Sequence, residues 1–341
     1  MTDDLHRRDP HSFRGHLETR PFASEALRAN PLGDPAEREV PVYVPPAGIA
    51  GERLPVVFLL AGFTGRPQSL LETHPWRSSP VLDLDRAMAA GEVPSAVLVM
   101  PDAFTRLGGS QYVNSSAVGR YEDYVAGELV EWVDATYPTL AGRRAVVGKS
   151  SGGFGALHFA MHRPGVFGAV GAIAPDCLFE HTYGAELLAA VRGLSKWDGD
   201  PGAFLEAFAE SPDLSGDGHA MVNATAMAAC YSPNPESPLG FDLPMDLETG
   251  ERLPAVWERW KAFDPLVACE SHAEELRSLS LLYLEAGTRD EFHAQLGLRA
   301  LARRLRALAV PCEHVEFEGG HFGLNDRLVL AVPKLVAALG A

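Results

Sequence analysis

Residues 144–157 impose a tight condition on any fold this chain can adopt. Ala145, Val146 and Val147 form a compact apolar run suited to a buried strand. Phe154, Leu157, Phe159 and Met161 continue as a helical segment that lasts to Arg163-Pro164. Between the two, Gly148-x-Ser150-x-Gly152 leaves space only for a sharp turn with Ser150 at its tip. A serine so placed sits in a strained backbone conformation and needs neighbours without side chains two residues to either side. The five-residue pattern alone is unspecific. The strand before it and the helix after it set it apart from a glycine-rich turn with an incidental serine and make it a nucleophile elbow. Ser151 does not compete, because position 149 is lysine rather than glycine.

The rest of the chain repeats the strand-then-helix theme. Residues 16–20 and 38–44 read as strands separated by the Asn30-Pro31-Leu32-Gly33-Asp34-Pro35 turn. Residues 54–62 form an almost unbroken apolar run, as expected of a central strand buried on both faces. A helix over 81–90, a strand over 95–100 and an amphipathic helix over 121–137 precede the elbow, and a strand over 169–174 follows it. Alternation then stops over about 178–265, a stretch with Trp197, Trp257, Trp260 and many prolines and glycines, expected to form a cap of short helices and loops over the site. It resumes with a strand over 278–286, a helix to about 308, a strand over 312–317 and a last helix over 326–339. Repeated units of this kind imply an α/β fold, a mainly parallel sheet with helices on both faces. Residues 1–12 are expected to be a disordered leader and 13–341 a single domain carrying the cap.

Composition narrows the class of partner. The chain has 341 residues and a formal charge of -16, which argues against a nucleic-acid or anionic-membrane surface. Its longest apolar runs fall well short of the roughly eighteen residues a membrane span needs, and residues 1–10 show no secretory pattern. A cytoplasmic protein is expected, compatible with a homo-oligomer. The four cysteines, Cys177, Cys230, Cys269 and Cys312, lack the spacing of a metal site or a disulfide framework.

A serine hydroxyl is a poor nucleophile at neutral pH, so the elbow calls for a histidine base and a carboxylate, following in the order Ser, Asp, His. His321 lies in the loop Gly319-Gly320-His321-Phe322-Gly323 after a late strand. His293 is the alternative, while His158 and His162 belong to the elbow helix. Asp290, one helix and one strand upstream of His321, is the candidate acid and equally a helix N-cap. Glu291 and Asp176 are its rivals, the latter at the end of another strand. Oxyanion donors are expected from the N–H of Ser151, at the positive end of the elbow helix, and the N–H of Phe63, after the 54–62 strand. Each such donor is worth about 3 to 4 kcal/mol. Tyr112, Phe154, Trp197 and Trp260 are candidate pocket walls.

With these residues placed, the chain resembles the putative esterase family of the α/β-hydrolase superfamily, which includes esterase D-like enzymes, feruloyl esterases and mycolyltransferases. The resemblance rests on Asn30 to Asp34 before Val42-Tyr43, on Leu59-Leu60-Ala61-Gly62-Phe63, on Pro101-Asp102 with Tyr112-Val113-Asn114-Ser115, and on the elbow. Gly287-Thr288-Arg289-Asp290 and Glu318-Gly319-Gly320-His321 complete it. It implies an α/β-hydrolase fold and a triad of Ser150, Asp290 and His321. Ala61 and Ser151 stand where the family often has histidine and methionine, which leaves the backbone donors intact. The expected activity is that of a serine carboxylesterase on a small-molecule ester, through an acyl-enzyme and without metal or cofactor. Acyl transfer or thioester hydrolysis uses the same triad, and a non-catalytic binding protein is the reading from another class.

Overall fold

The computed structural model describes residues 12–72 and 78–340. Residues 1–11 of the expected leader lie outside the described residues. Eight strands form one sheet: β1 His16–Ala23, β2 Glu37–Val44, β3 Leu54–Leu60, β4 Val97–Val99, β5 Thr139–Lys149, β6 Ala169–Ile173, β7 Leu281–Gly287 and β8 Glu313–Phe317. Their order across the sheet is β1-β2-β4-β3-β5-β6-β7-β8. β2 pairs antiparallel with both neighbours, and β4, β3 and β5 to β8 are parallel. Every residue of β3 and of β6 is buried, which accounts for their continuous apolar runs.

The helices that matter here are α1 Pro80–Ala89, α2 Ser151–His162, α3 Gly184–Leu194, α4 Gly218–Tyr231, α5 Ala294–Ala307 and α6 Asn325–Ala338. α6 packs against α1 and against β3, β5, β6 and β7, whereas α2 packs against β3, β5 and β6. The helix expected over 121–137 forms as three consecutive pieces, Tyr121–Asp123, Tyr124–Glu128 and Leu129–Thr136, and the middle one widens to π-type bonding. Residues expected as a plain loop after β4 include a two-residue hairpin that pairs Asn114 with Arg120 and Ser115 with Gly119. β5 begins at Thr139, well before the apolar triplet, and its first half carries the exposed residues Ala141, Gly142 and Arg143 at the sheet end away from the elbow.

Between β6 and β7 the chain forms helices, with α3, Pro201–Glu210, α4 and Pro254–Lys261 as the longer pieces, and residues 232–253 form turns with the isolated bridges Pro233–Phe241 and Met245–Arg252. This excursion is tied at its two ends by one carboxylate. Asp264, only 3 % exposed, accepts hydrogen bonds from the N–H groups of Leu178 (2.9 Å) and Phe179 (2.7 Å) where the excursion leaves the sheet, and from Leu266 N–H (2.9 Å) where it returns. An unpaired buried amide costs roughly 1–3 kcal/mol. Asp264→Ala is therefore expected to lower the thermal midpoint by several degrees, with Asp264→Asn, which keeps an acceptor oxygen, in between. Calorimetry on the three proteins checks this, and an unchanged midpoint in the alanine variant would show that the tie carries no stability.

Candidate active site

Five neighbouring parallel strands, β3, β5, β6, β7 and β8, each release one chemically distinctive residue just past their C-terminal ends: Phe63, Ser150, Asp176, Asp290 and His321. This edge is where open parallel sheets place their ligands.

Ser150 has φ +54° and ψ −127°, a conformation non-glycine residues rarely adopt. Its N–H donates to Ile173 C=O at 2.9 Å and its own C=O accepts from Phe154 N–H at 2.9 Å, so neighbouring elements hold the strain in place. The flanking glycines are steric necessities. A Cβ on Gly148 would lie 2.3 Å from the Gly152 carbonyl, and a Cβ on Gly152 would lie 2.3 Å from the Leu60 carbonyl oxygen at the end of β3.

His321 Nε2 lies 3.0 Å from Ser150 Oγ, and its Nδ1 lies 2.7 Å from Asp290 Oδ2. The Asp290 side chain is fully buried. Its other oxygen, Oδ1, accepts from the N–H groups of Phe292 (2.9 Å) and Ala294 (3.3 Å) at the start of α5, so one carboxylate both orients the imidazole and ends a helix. Glu291 has a separate part: its Oε2 accepts from the His321 backbone N–H at 2.6 Å. That carboxylate also explains Gly320, where a Cβ would fall 2.7 Å from Glu291 Oε1. His293 is exposed and caps α5 with φ +62°, away from the cavity. His158 bonds Glu122 at 3.0 Å. His162 packs between His158 and His272, and burial, with those two imidazoles adding to it, pulls its pKa down to about 4.

Two backbone amides beside Ser150 have no acceptor among the described residues. After β3, Thr64 N–H donates to Gly108 C=O at 2.8 Å and Gly65 N–H closes a turn on Gly62 C=O at 2.9 Å, while Phe63 N–H donates to no protein group among the described residues. Ser151 N–H, first in α2, is likewise unclaimed by the protein. Both residues border a cavity of about 320 Å³ that also exposes Ser150 and His321.

The four aromatic residues expected as pocket walls do not border this cavity. Tyr112 lies behind it, its hydroxyl donating to Ala61 C=O at 2.7 Å, so it braces the turn that carries Phe63. Phe154 is fully buried on the inner side of α2 against Phe179 and Tyr231. Trp260 is fully buried between Tyr183 and Tyr231, with its indole N–H on Ser232 Oγ at 2.8 Å. Trp197 joins Phe204 and Leu194 in a small separate cluster of the excursion. Rings of this size gain most by burial, and Tyr112, Phe154 and Trp260 take buried places while Trp197 stays partly exposed.

The cavity lining mixes polar side chains with the rings of Phe63, Phe292 and Phe322 and with Leu324. Lys149, next to the nucleophile, is pushed to a lower pKa by burial, with Glu72 opposing. α4 contributes His219 and Asn223, four residues apart on one helical face, and α3 contributes Glu186, whose carboxylate lies 3.1 Å from His219 Nδ1. Asp176 and Tyr183 complete that side, and Phe292 packs edge-on against His321 at 4.7 Å between ring centres. The one signal available beforehand was the His219–Asn223 spacing, which without the fold could not be assigned to any cavity. Among the described residues no cluster of three or more His, Cys, Asp or Glu side chains is arranged to hold a metal ion.

Comparison with known proteins gives a consistent pattern. The model of the family described as Putative esterase matches residues 35–322. S-formylglutathione hydrolase from Mus musculus is 29% identical over 155 residues, covering 40% of this chain and 51% of that protein, and the Bos taurus enzyme matches at the same identity and extent. The chain thus spans about half the length of the curated relatives it matches. Among solved structures, a ferulic acid esterase superposes with TM-score 0.58 at 19% identity, covering 96% of this chain and 100% of the other. An S-formylglutathione hydrolase from Agrobacterium tumefaciens gives 0.59 at 18%, covering 96% and 97%. At such identities the likeness speaks for the fold, an α/β-hydrolase fold.

The glycine contacts at the elbow carry a direct consequence. Gly152→Ala drives a methyl into the Leu60 carbonyl and forces β3 and α2 apart, and overpacking of this kind costs about 1–3 kcal/mol or more. The variant is expected to unfold at lower denaturant than the wild type in a circular-dichroism titration, whereas Gly165→Ala, with nothing within 4 Å of the added carbon, tests the backbone term alone at its φ of +79°.

Proposed function

The chain belongs to the Putative esterase family, and we propose that it is a serine carboxylesterase that works through an acyl-enzyme. The observation that carries this reading is the continuous relay from Ser150 Oγ to His321 Nε2 (3.0 Å) and from His321 Nδ1 to Asp290 Oδ2 (2.7 Å) at the edge of a cavity. In this reading Ser150 attacks the ester carbonyl as His321 takes its proton. The carbonyl oxygen, now an anion, receives the N–H groups of Phe63 and Ser151. His321 returns the proton to the departing alcohol, and a water molecule activated by the same imidazole then releases the acid. Asp290 keeps the histidine in the tautomer that presents Nε2 as base and stabilises the imidazolium. The -16 charge and the absence of paired cysteines support an assignment to the cytoplasm, acting on small molecules rather than on nucleic acid or membrane.

A second reading has its own support. Thioester hydrolysis runs on the same atoms, and the curated relatives are named S-formylglutathione hydrolase. A thioester and an oxygen ester of the same acid, compared by kcat/KM, separate the two.

Hydrolysis of p-nitrophenyl esters from acetate to decanoate is expected to peak at the short acyl chains that a cavity of about 320 Å³ accommodates. Ser150→Ala is expected to lower kcat by a factor on the order of 10⁴–10⁶, and fluorophosphonate labelling should disappear with it. Turnover that persists in the alanine variant would remove Ser150 from the mechanism.

A further inference from the structure

Asp176 takes no part in the relay, yet it borders the cavity and is held by three hydrogen bonds. The residue is 8 % exposed, and its Oδ2 accepts three hydrogen bonds, from Gln111 Nε2 (2.9 Å), Tyr183 OH (3.0 Å) and Ser151 Oγ (3.2 Å). The donors come from three different parts of the chain: the loop after β4, the start of α3 and the residue after the nucleophile. Gln111 adopts φ +51° to reach it. The second oxygen is treated differently. Oδ1 accepts no hydrogen bond among the described residues, and it is not sealed inside the protein, because Asp176 borders the cavity and Oδ1 keeps contact with its open space.

A carboxylate has about four lone-pair sites, and leaving one of its oxygens without a partner in a largely buried position is costly. Burial raises the pKa of Asp176 above the usual carboxylate range, and its three donors and the nearby His321 offset only part of that rise. The result is an unpartnered oxygen at the border of the cavity, on a carboxyl group whose other oxygen is held by Oγ of Ser151, the residue that follows the nucleophile.

We propose that Asp176 is a specificity-determining residue whose Oδ1 accepts a hydrogen bond from a hydroxyl or N–H donor that the ester substrate carries close to its scissile carbonyl. The inference rests on the esterase reading and narrows its substrate class to donor-bearing esters. A hydrogen bond to an otherwise unpartnered acceptor of this kind corresponds to a preference of roughly 10- to 100-fold over an analogue that lacks the donor.

The test measures kcat/KM for phenyl butyrate, its 2- and 3-hydroxy derivatives and the corresponding oxo derivatives, and on the alcohol side for propyl, 2-hydroxypropyl and 2-oxopropyl butyrate. The oxo compounds match the hydroxy compounds in size but can only accept. The wild type is expected to favour at least one hydroxylated ester about tenfold or more over both its plain and its oxo partner, and Asp176→Asn, which turns an amide donor toward the cavity, is expected to abolish or reverse that ratio. A wild-type ratio near one in both series overturns the proposal even where the variant fails to fold, as does a preference that survives in Asp176→Asn. Parallel loss on all esters in that variant, with the ratio kept, marks a purely structural role and overturns it too. Failure of the wild type to hydrolyse plain phenyl butyrate and every other ester speaks instead against the esterase reading.

Discussion

Everything at the catalytic edge depends on how closely the first turn of α2 approaches the end of β3. Glycine at 152 lets the helix backbone rest against the Leu60 carbonyl, and glycine at 148 lets β5 run under the same turn. That contact pushes Ser150 out at a positive φ and leaves Ser151 N–H and Phe63 N–H, on two different strands' extensions, bordering one cavity. Strain in the backbone is tolerable there because β6 supplies the acceptor for Ser150 N–H and the helix supplies the donor for its carbonyl.

Around this contact the sheet acts as a comb. Parallel strands end at the same level, so residues far apart in the chain, from Phe63 to His321, emerge side by side without any long-range device beyond strand pairing. The excursion between β6 and β7 then closes the opposite side with polar groups from α3 and α4. Its attachment through Asp264 makes the roof of the cavity part of the same hydrogen-bonded body as the sheet that forms its floor.

Much of this was legible in the chain. Continuous apolar runs mark β3 and β6 because both faces of those strands are covered, and the glycine spacing marks the elbow because no side chain fits there. Local pattern was less informative wherever burial is decided by the whole fold. Phe154 and Trp260 look like ligand contacts in a sequence that already suggests a pocket, but a ring gains more from a closed core, and both are fully buried. Conversely, His219, Asn223 and Glu186 look like ordinary polar residues on surface helices, and only the three-dimensional path of the excursion brings them to the cavity. Asp290 was the expected acid, with its neighbour Glu291 as rival. Geometry separates them by which part of His321 each one holds, side chain or main chain.

That last arrangement has an evolutionary corollary. Two consecutive carboxylates grip one histidine at two places, so the 287–292 turn and the 318–321 loop behave as a matched lock and key that must be inherited together. Inserting or deleting a single residue in either segment would swap or misalign both grips at once. Length variation among relatives is therefore expected to collect in the excursion between β6 and β7, leaving this pair of segments constant in length even where their letters change.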